Sequence, residues 1–214
     1  MNKDISYIRK DYKKAQITEV DFPVTPIQQF QKWFDEAINE KVLEVNAMVL
    51  STVDENARPS ARVVLLKGVK ENAFLFYTNY ESDKGKQLKA NPMVALNFFW
   101  PELERQVRVE GRARKADEAL SDAYFLSRPR DSKIGAWVSP QSQVIDSRAF
   151  LENRLKNYND QFEDKEISRP ENWGGYAVEP DLIEFWQGGE HRLHDRFVYS
   201  KTPDGNWHTE RLMP

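Results

Sequence analysis

The sequence predicts a mainly β protein, an antiparallel β-barrel with peripheral helices, and two observations support this fold class. Short runs rich in Val, Leu and Phe, separated by turn-forming and charged residues, occupy positions 47–113 and 173–213. These runs do not alternate with helices in the rhythm of parallel βαβ units. A barrel is the simplest architecture because closing a sheet removes the edges that so many strands would expose.

Composition and charge narrow the class further. The chain has 214 residues, of which 40% are hydrophobic and 12% aromatic, and this fits one globular domain with a buried core. A net charge of -3 provides no overall positive field for nucleic acid, and the absence of cysteine excludes disulfides and thiolate metal sites. No apolar run has the length of a membrane span or a signal peptide, so the cytoplasm is the expected compartment.

The N-terminal part divides into an arm and a helix. Residues 1–24 are charged and without periodicity, which indicates a partly flexible arm ahead of a single domain over 25–214. In "TPIQQFQKWFDEAINE" Thr25 can cap a helix, Pro26 suits its first position, and apolar residues recur at helical spacing. We therefore expect an amphipathic helix here.

Five strands are predicted next, with hairpin-like connections. A short helix, capped by Ser82 and stopped by Pro92, interrupts them after the third strand. The five runs are "AMVLSTV", "ARVVLLKGV", "AFLFYTN", "MVALNFFW" and "RQVRVEGRA".

The remaining chain is predicted to be helical and then β again. "ADEALSDAYFLS" and the stretch from about Ser147 to Phe162 are typical of helices, while "RPRDSKIGAWVSPQSQVI" between them is predicted to be irregular. Four further strands are expected at the end of the chain, in "WGGYAVEP", "LIEFWQ", "RLHDRFVYS" and "WHTERLM".

The segment "WQGGEHRLHDRF" concentrates cationic and titratable side chains. As an extended strand it would place Arg192, His194 and Arg196 on one face, and such a row suits a phosphate or an electron-rich ring. On spacing alone, a solvated edge strand is the simpler interpretation. A zinc site at His191 and His194 is a further alternative, which lacks a cysteine and a helix to bring the two rings together.

Two other patterns suggest anion binding. Arg62 and Lys67 stand at either end of an apolar strand, where alternation puts them on opposite faces, so a shared pocket requires a strand end, a bulge or a twist. Snorkelling side chains explain the same pattern equally well. The helix start at Ser82 offers free backbone N–H groups, with Lys84 beside them, and is a candidate phosphate cradle.

The motifs of several common enzyme classes are missing from the sequence. The chain has no G-x-G-x-x-G after a strand, no P-loop and no G-x-S-x-G. A region from Tyr124 to Ser142, rich in arginine, hydroxyl and amide groups, is nevertheless typical of loops that build ligand sites.

Taken together, several segments resemble the pyridoxamine 5'-phosphate oxidase family. The matching segments run in order from about residue 9 to the C-terminus: "RVVLLK", "FYTN", "LERQVRVEG", "SRPRDSKIGAWVSPQS", "FWQGGEHRLHDRF" and "ERLMP". The resemblance implies an FMN-binding split β-barrel that forms a homodimer, with FMN at the subunit interface. It also implies oxidation of pyridoxamine or pyridoxine 5'-phosphate by dioxygen to pyridoxal 5'-phosphate and hydrogen peroxide, a reaction of vitamin B6 biosynthesis and salvage.

The resemblance also implies roles for individual residues. One flank of the FMN site would comprise Arg62, Lys67, Tyr77, Thr78, Lys84 and Gln106. The other flank, from the second subunit, would comprise Gln141, Ser142, Trp186 and Arg196. The substrate would contact Lys67, Tyr124, Arg128, Ser132, Arg192 and His194, with Arg9 and Tyr12 on an arm that closes over it. Arg192 and His194 would be the catalytic pair, and no metal is implied.

One position departs from the family pattern. Asp83 stands in "SDK" where many members have an arginine near the FMN phosphate, so that contact is missing here. Two other functions remain open at this point: a split-barrel flavin reductase with another substrate, and a non-catalytic carrier of flavin or pyridoxal phosphate.

Overall fold

The structure is a computed structural model that describes residues 4, 6–7, 12–13, 17–18, 23 and 25–214. Arg9, which the resemblance assigns to the substrate, lies outside these residues. The helices are α1 (Pro26–Asn39), α2 (Asp83–Ala90), α3 (Glu118–Ser127), α4 (Arg130–Val138) and α5 (Arg148–Gln161). The strands are β1 (Ala47–Val53), β2 (Pro59–Leu65), β3 (Gly68–Lys70), β4 (Ala73–Asn79), β5 (Met93–Trp100), β6 (Arg105–Lys115), β7 (Trp173–Gln187), β8 (Asp195–Lys201) and β9 (Trp207–Leu212).

The described strands form one sheet in the order β2-β1-β5-β6-β7-β4-β3, with β8 paired to β7 and β9 paired to β8. The pairings β3–β4, β4–β7, β7–β8 and β8–β9 are antiparallel. The register places Tyr77 of β4 opposite Gly175, and Trp186 of β7 opposite Arg196. The pairings of β7 with β4 and with β8 therefore both include predicted site residues.

The chain divides into two compact units. The first comprises the described residues up to Met48 together with Leu96–Glu110 and Pro180–Pro214, and the second comprises Val49–Ala95 and Gly111–Glu179. In the first unit the apolar face of α1 is buried in an aromatic core. Phe30 lies 5.0 Å from Phe98, and Trp33 meets Phe185 edge to face at 5.3 Å.

The second unit has its own core behind the candidate site. Helices α3 and α4 contribute buried apolar side chains that pack with the first residue of β7: the buried members are Phe125, Ile134, Val138, Phe162, Ile167 and Trp173. Tyr77 and Tyr124 are partly buried and pack against this cluster. The core thus fixes the aromatic residues that face the site.

Several local predictions are confirmed. Helix α1 begins after Thr25, whose hydroxyl accepts a hydrogen bond from the Gln28 N–H, and Pro26 occupies its first turn. Helix α2 follows Ser82, whose hydroxyl accepts from the Gly85 N–H at 3.3 Å. Among the described residues, no helix is both long and apolar enough to cross a membrane.

Three local predictions are wrong. "ARVVLLKGV" is two strands, because β2 ends at Leu65 and β3 begins at Gly68. The segment predicted to be irregular contains α4, since Ile134 and Val138, one helical turn apart, are both buried in the core. "WGGYAVEP" and "LIEFWQ" form the single strand β7, because β4 pairs with its first part and β8 with its second.

Candidate functional site

A cleft of about 770 Å³ in the second unit collects most of the predicted site residues. Its walls come from β2, β4, the start of α2, helices α3 and α4, and the segment after α4. The predicted residues that line it are Arg62, Lys67, Tyr77, Thr78, Lys84, Tyr124, Arg128, Ser132, Gln141 and Ser142. Asp83 and Trp173 line it as well.

Arg62 and Lys67 share this cleft because the strand between them ends. β2 stops at Leu65, so Lys67 lies beyond the alternation that would have put it on the opposite face. The Arg62 guanidinium donates to the Thr52 hydroxyl and, at 3.2 Å, to Oε1 of Gln87. Neutral oxygens therefore hold it in place while its charge is left for a ligand.

The N-terminus of α2 forms a second cationic wall. Lys84 Nζ donates to Oε1 of Gln141 at 2.9 Å and to the Thr78 hydroxyl at 3.2 Å. The Asp83 N–H donates to the Ser142 hydroxyl at 3.2 Å. The resemblance assigned Gln141 and Ser142 to the flank supplied by the second subunit, whereas the structure places them in the chain's own cleft.

The charges in this cleft favour an anionic ligand. Burial, and then the neighbouring Arg62, lowers the pKa of Lys84 below its ordinary value of 10.5, and only Asp83 opposes this. Burial likewise lowers the pKa of Arg62. Two cations that destabilise one another beside a helix N-terminus are stabilised by a phosphate dianion, so this wall fits the phosphate of FMN.

An aromatic wall of the cleft carries a further cation, Arg128. The rings of Tyr77 and Tyr124 stack with centroids 3.9 Å apart, and a side chain at Gly175 would place its Cβ 2.9 Å from the Tyr77 ring. The Arg128 guanidinium lies 4.6 Å over the ring of Trp173. Its Nη1 is buried and has no hydrogen-bond partner among the described residues. An unused, buried guanidinium donor is what a second oxyanion, such as a substrate phosphate, would satisfy.

The other predicted residues lie in the first unit: Tyr12, Gln106, Trp186, Arg192, His194 and Arg196. The rings of Trp186 and His194 lie 4.8 Å apart, and Tyr12 meets each of them edge to face, at 5.6 and 5.7 Å. Tyr12 also fills the space beside Gly188, where a Cβ would lie 2.7 Å from its ring. This aromatic cluster joins the described part of the N-terminal arm to the segment after β7.

The prediction of an extended strand through Arg192 and His194 is wrong. Glu190–Arg192 forms a short 3-10 turn, and β8 begins only at Asp195. His191 and Arg192 have positive φ angles of 54° and 63°. Nδ1 of His194 accepts a hydrogen bond from the Gly189 N–H at 3.1 Å, so a neutral His194 carries its proton on Nε2. Arg192 is exposed at the tip of this turn.

Arg196 is held by a carboxylate that the sequence patterns did not single out. Its Nε donates to Glu184 Oε1 at 2.8 Å, and its Nη1 donates to the Met213 carbonyl at 2.9 Å. Glu184, which is 3% exposed, also accepts from Arg108 at 2.7 Å. The ion pair raises the pKa of Arg196. The sequence did contain a signal for this pair. Glu184 stands inside the apolar run "LIEFWQ", and a carboxylate buried among apolar residues needs a charged or hydrogen-bonding partner.

Family models match most of the chain. Residues 34–162 match the model described as pyridoxamine 5'-phosphate oxidase, and residues 173–214 match the pyridoxine 5'-phosphate oxidase C-terminal dimerisation region. A pyridoxine/pyridoxamine 5'-phosphate oxidase of Leptospira interrogans is 52% identical over 214 residues, which is the full length of both chains. One from Ralstonia nicotianae is 53% identical over 98% of this chain and 99% of its own.

Solved structures share the fold. PhzG from Burkholderia lata, in complex with tetrahydrophenazine-1-carboxylic acid, superimposes with a TM-score of 0.89 at 26% identity, covering 94% of this chain and 99% of its own. A pyridoxamine 5'-phosphate oxidase-related, FMN binding protein from Nostoc punctiforme gives a TM-score of 0.72 at 17% identity, covering 89% and 98%. The predicted fold class, a mainly antiparallel split β-barrel with peripheral helices, is confirmed.

Proposed function

Since the chain belongs to the pyridoxamine 5'-phosphate oxidase family and is an oxidoreductase, we propose that it oxidises pyridoxamine and pyridoxine 5'-phosphate to pyridoxal 5'-phosphate. The proposed cofactor is FMN, the electron acceptor is dioxygen and the second product is hydrogen peroxide. The observation that carries the proposal is the cleft of the second unit, in which Arg62, Lys84 and Arg128 lack carboxylate partners among the described residues.

The cleft residues would divide the phosphate binding between cofactor and substrate. Arg62, Lys84 and the N-terminus of α2 would hold the phosphate of FMN, because they form one cationic wall. Arg128, with its free Nη1, would hold the substrate phosphate together with Ser132 and Lys67. Bound FMN would supply the redox chemistry, by accepting a hydride from the substrate and passing electrons to dioxygen.

The protein's remaining work is orientation and management of one proton. Arg192 would orient the substrate ring and stabilise charge, since its guanidinium is exposed and has no ion-pair partner among the residues the structure describes. His194 would donate a proton from Nε2, because its Nδ1 accepts a hydrogen bond from the Gly189 N–H. Tyr12 would cover the site from the N-terminal arm, as its contacts with Trp186 and His194 suggest.

The C-terminal match to a dimerisation region supports a homodimer. In the proposed assembly FMN lies at the subunit interface: one subunit supplies the cleft, and its partner supplies Trp186 and Arg196. Gln106, which the resemblance placed on the flank of Arg62 and Lys84, lies in the first unit and outside the lining of the cleft, so it is assigned to the partner's flank as well. Gln141 and Ser142 would contact FMN from the same subunit as Lys84, because they are hydrogen-bonded beside it.

An oxygen-electrode assay on protein loaded with FMN, paired with the visible spectrum of the purified protein, tests the function. We expect a flavin spectrum, oxygen consumption with pyridoxamine 5'-phosphate, and pyridoxal 5'-phosphate and peroxide in equal amounts. A flavin spectrum without oxygen consumption would favour the carrier, and flavin reduction by another donor alone would favour the reductase. Either result would contradict the proposal.

A further inference from the structure

Trp173 lines the cleft, and neither the sequence patterns nor the resemblance gave it a role. It is the first residue of β7 and only 7% exposed. Its ring is nearly parallel to those of Tyr77 and Tyr124, with interplanar angles of 12° and 8°. The Arg128 guanidinium lies over its face at 4.6 Å, and over the ring of Phe125 at 5.6 Å.

The structure holds this ring firmly in place. The Trp173 N–H donates to the Pro170 carbonyl at 3.0 Å, and its carbonyl accepts from Nη1 of Arg169 at 2.7 Å. Trp173 pairs with Asn79 at the end of β4, and its edge meets Phe125 at 5.3 Å. A ring fixed from the backbone and from the core is a rigid platform for whatever rests on its face.

Arg128 needs such a platform because its charge is otherwise unbalanced. Among the described residues, no carboxylate lies within ion-pair distance of it, and its buried Nη1 has no hydrogen-bond partner. Burial lowers the pKa of Arg128, and only the neighbouring Tyr124 opposes this. The negative face of the Trp173 indole ring, at 4.6 Å, stabilises the cation from closer than the ring of Phe125, at 5.6 Å.

An aromatic ring differs from a carboxylate in a way that matters for binding. A carboxylate would occupy the guanidinium N–H donors and would repel a phosphate. A ring face stabilises the charge from one side and leaves the N–H donors, which lie at the rim of the guanidinium, available to a ligand.

We propose that Trp173 is the positioning residue of the substrate phosphate site: it holds the Arg128 guanidinium in the cleft, so that the enzyme binds phosphorylated ligands in preference to their unphosphorylated forms. This inference rests on the proposed function. It assigns to Trp173 no contact with the substrate, and all of its effect passes through Arg128.

A double-mutant cycle tests the proposal. The variants are Trp173→Leu, Trp173→Phe, Arg128→Ala and the double variant Trp173→Leu/Arg128→Ala, each as the full chain loaded with FMN. Trp137→Leu is the matched control, because Trp137 packs against the same core cluster and its ring contacts are with Tyr158 and Phe162. The readouts are the Kd of pyridoxal 5'-phosphate and of pyridoxal, and the kcat and KM for pyridoxamine 5'-phosphate.

We expect Trp173→Leu to weaken pyridoxal 5'-phosphate binding about tenfold or more and Trp173→Phe about threefold, since the smaller ring attracts a cation less. Pyridoxal binding and kcat should change little, so that the loss appears in KM. In the Arg128→Ala background, Trp173→Leu should have no further effect.

Three results would overturn the proposal: equal losses for pyridoxal and its phosphate, an undiminished Trp173→Leu effect without Arg128, or an equal loss in Trp137→Leu. Where Trp173→Leu fails to retain FMN, Trp173→Phe alone and in the Arg128→Ala background decides by the same criteria. If the wild-type protein binds FMN and oxidises the substrate, but the effects of Trp173→Leu and Arg128→Ala are additive, only the role of Trp173 is refuted. A wild-type protein that binds neither ligand refutes the proposed function as well.

Discussion

The cations in the cleft of the second unit and the arginines Arg108 and Arg196 of the first unit differ in what holds them. In the cleft, Arg62 and Lys84 are held by neutral oxygens and Arg128 by an aromatic ring. In the first unit, Arg108 and Arg196 share the buried carboxylate of Glu184. A cation that is held without being neutralised keeps its charge for a ligand, while one paired with a buried carboxylate contributes orientation and stability.

This difference refines the role of Arg196. Because Glu184 already balances its charge, Arg196 is expected to help shape the flavin site more than to attract the flavin phosphate. Arg192 is the exception among the described arginines of the first unit, since it is exposed and has no carboxylate partner among the described residues. It resembles the cleft cations in this respect, and substitution of Arg192 is expected to have the largest functional effect.

Arg192→Leu should lower turnover by about 10²–10⁴-fold, because it removes an unneutralised cation from the reacting ring. FMN content should be unchanged, since the cofactor phosphate is assigned to the cleft. Steady-state oxygen consumption and the flavin absorbance of the purified variant measure the two effects. Near-normal turnover would refute the catalytic role of Arg192.

Lys84→Met should weaken FMN binding about tenfold to a hundredfold, because a charged hydrogen-bond donor to the phosphate is lost. In the wild type, affinity should fall as pH rises through the Lys84 pKa, which lies below 10.5, because the ammonium loses its charge there. The variant should lack this step.

Flavin fluorescence titrations across pH measure both effects, with Lys86→Met, an exposed position on the same helix, as control. An equal loss in Lys86→Met would mean that the effect is general to the helix.

Glu184→Gln should lower the free energy of unfolding by about 2–3 kcal/mol, less than the 3–5 kcal/mol for a fully buried pair because both arginines are partly exposed. FMN affinity should change less than in Lys84→Met. Denaturant unfolding of Glu184→Gln beside Glu110→Gln, which alters the exposed partner of Arg108, measures the difference. If FMN affinity fell as steeply as in Lys84→Met, the contrast between the two regions would be lost.

Asp83→Asn should have the smallest effect and the opposite sign. Asp83 lines the cleft with Arg62 and Lys84 and would repel a phosphate, so its neutralisation should tighten FMN binding about threefold at low ionic strength and less at high salt. Glu81→Gln removes the same charge two residues away, outside the lining of this cleft, and should leave affinity unchanged. Weaker binding in Asp83→Asn would show that the carboxylate supports the site.

Local signals predicted much of the fold. Thr25, Pro26 and Ser82 mark helix starts because caps act through neighbouring backbone groups, and the apolar runs mark strands because burial is periodic. The continuity of β7 depends on two partner strands that are distant in sequence. The left-handed backbone at His191 and Arg192 is equally invisible in the sequence, as neither residue is a glycine.

The resemblance named ten of the residues that line the cleft, but it did not give the contacts among them. The resemblance named the cleft residues, yet it could not show that Trp173 lies under Arg128 or that Glu184 joins two arginines, because these contacts join separate segments of the chain. Position 173 is an ordinary strand start in the sequence, and the proposal for its ring rests on the contact with Arg128 and on that residue's buried Nη1, which has no hydrogen-bond partner among the described residues.

A crystal structure of the chain with FMN and pyridoxal 5'-phosphate tests the central claim most directly. The flavin phosphate is expected against Arg62, Lys84 and the N-terminus of α2, and the product phosphate against Arg128 with the guanidinium still over Trp173. Phosphates bound outside this cleft, or an Arg128 side chain turned away from both the ring and the product, would contradict it.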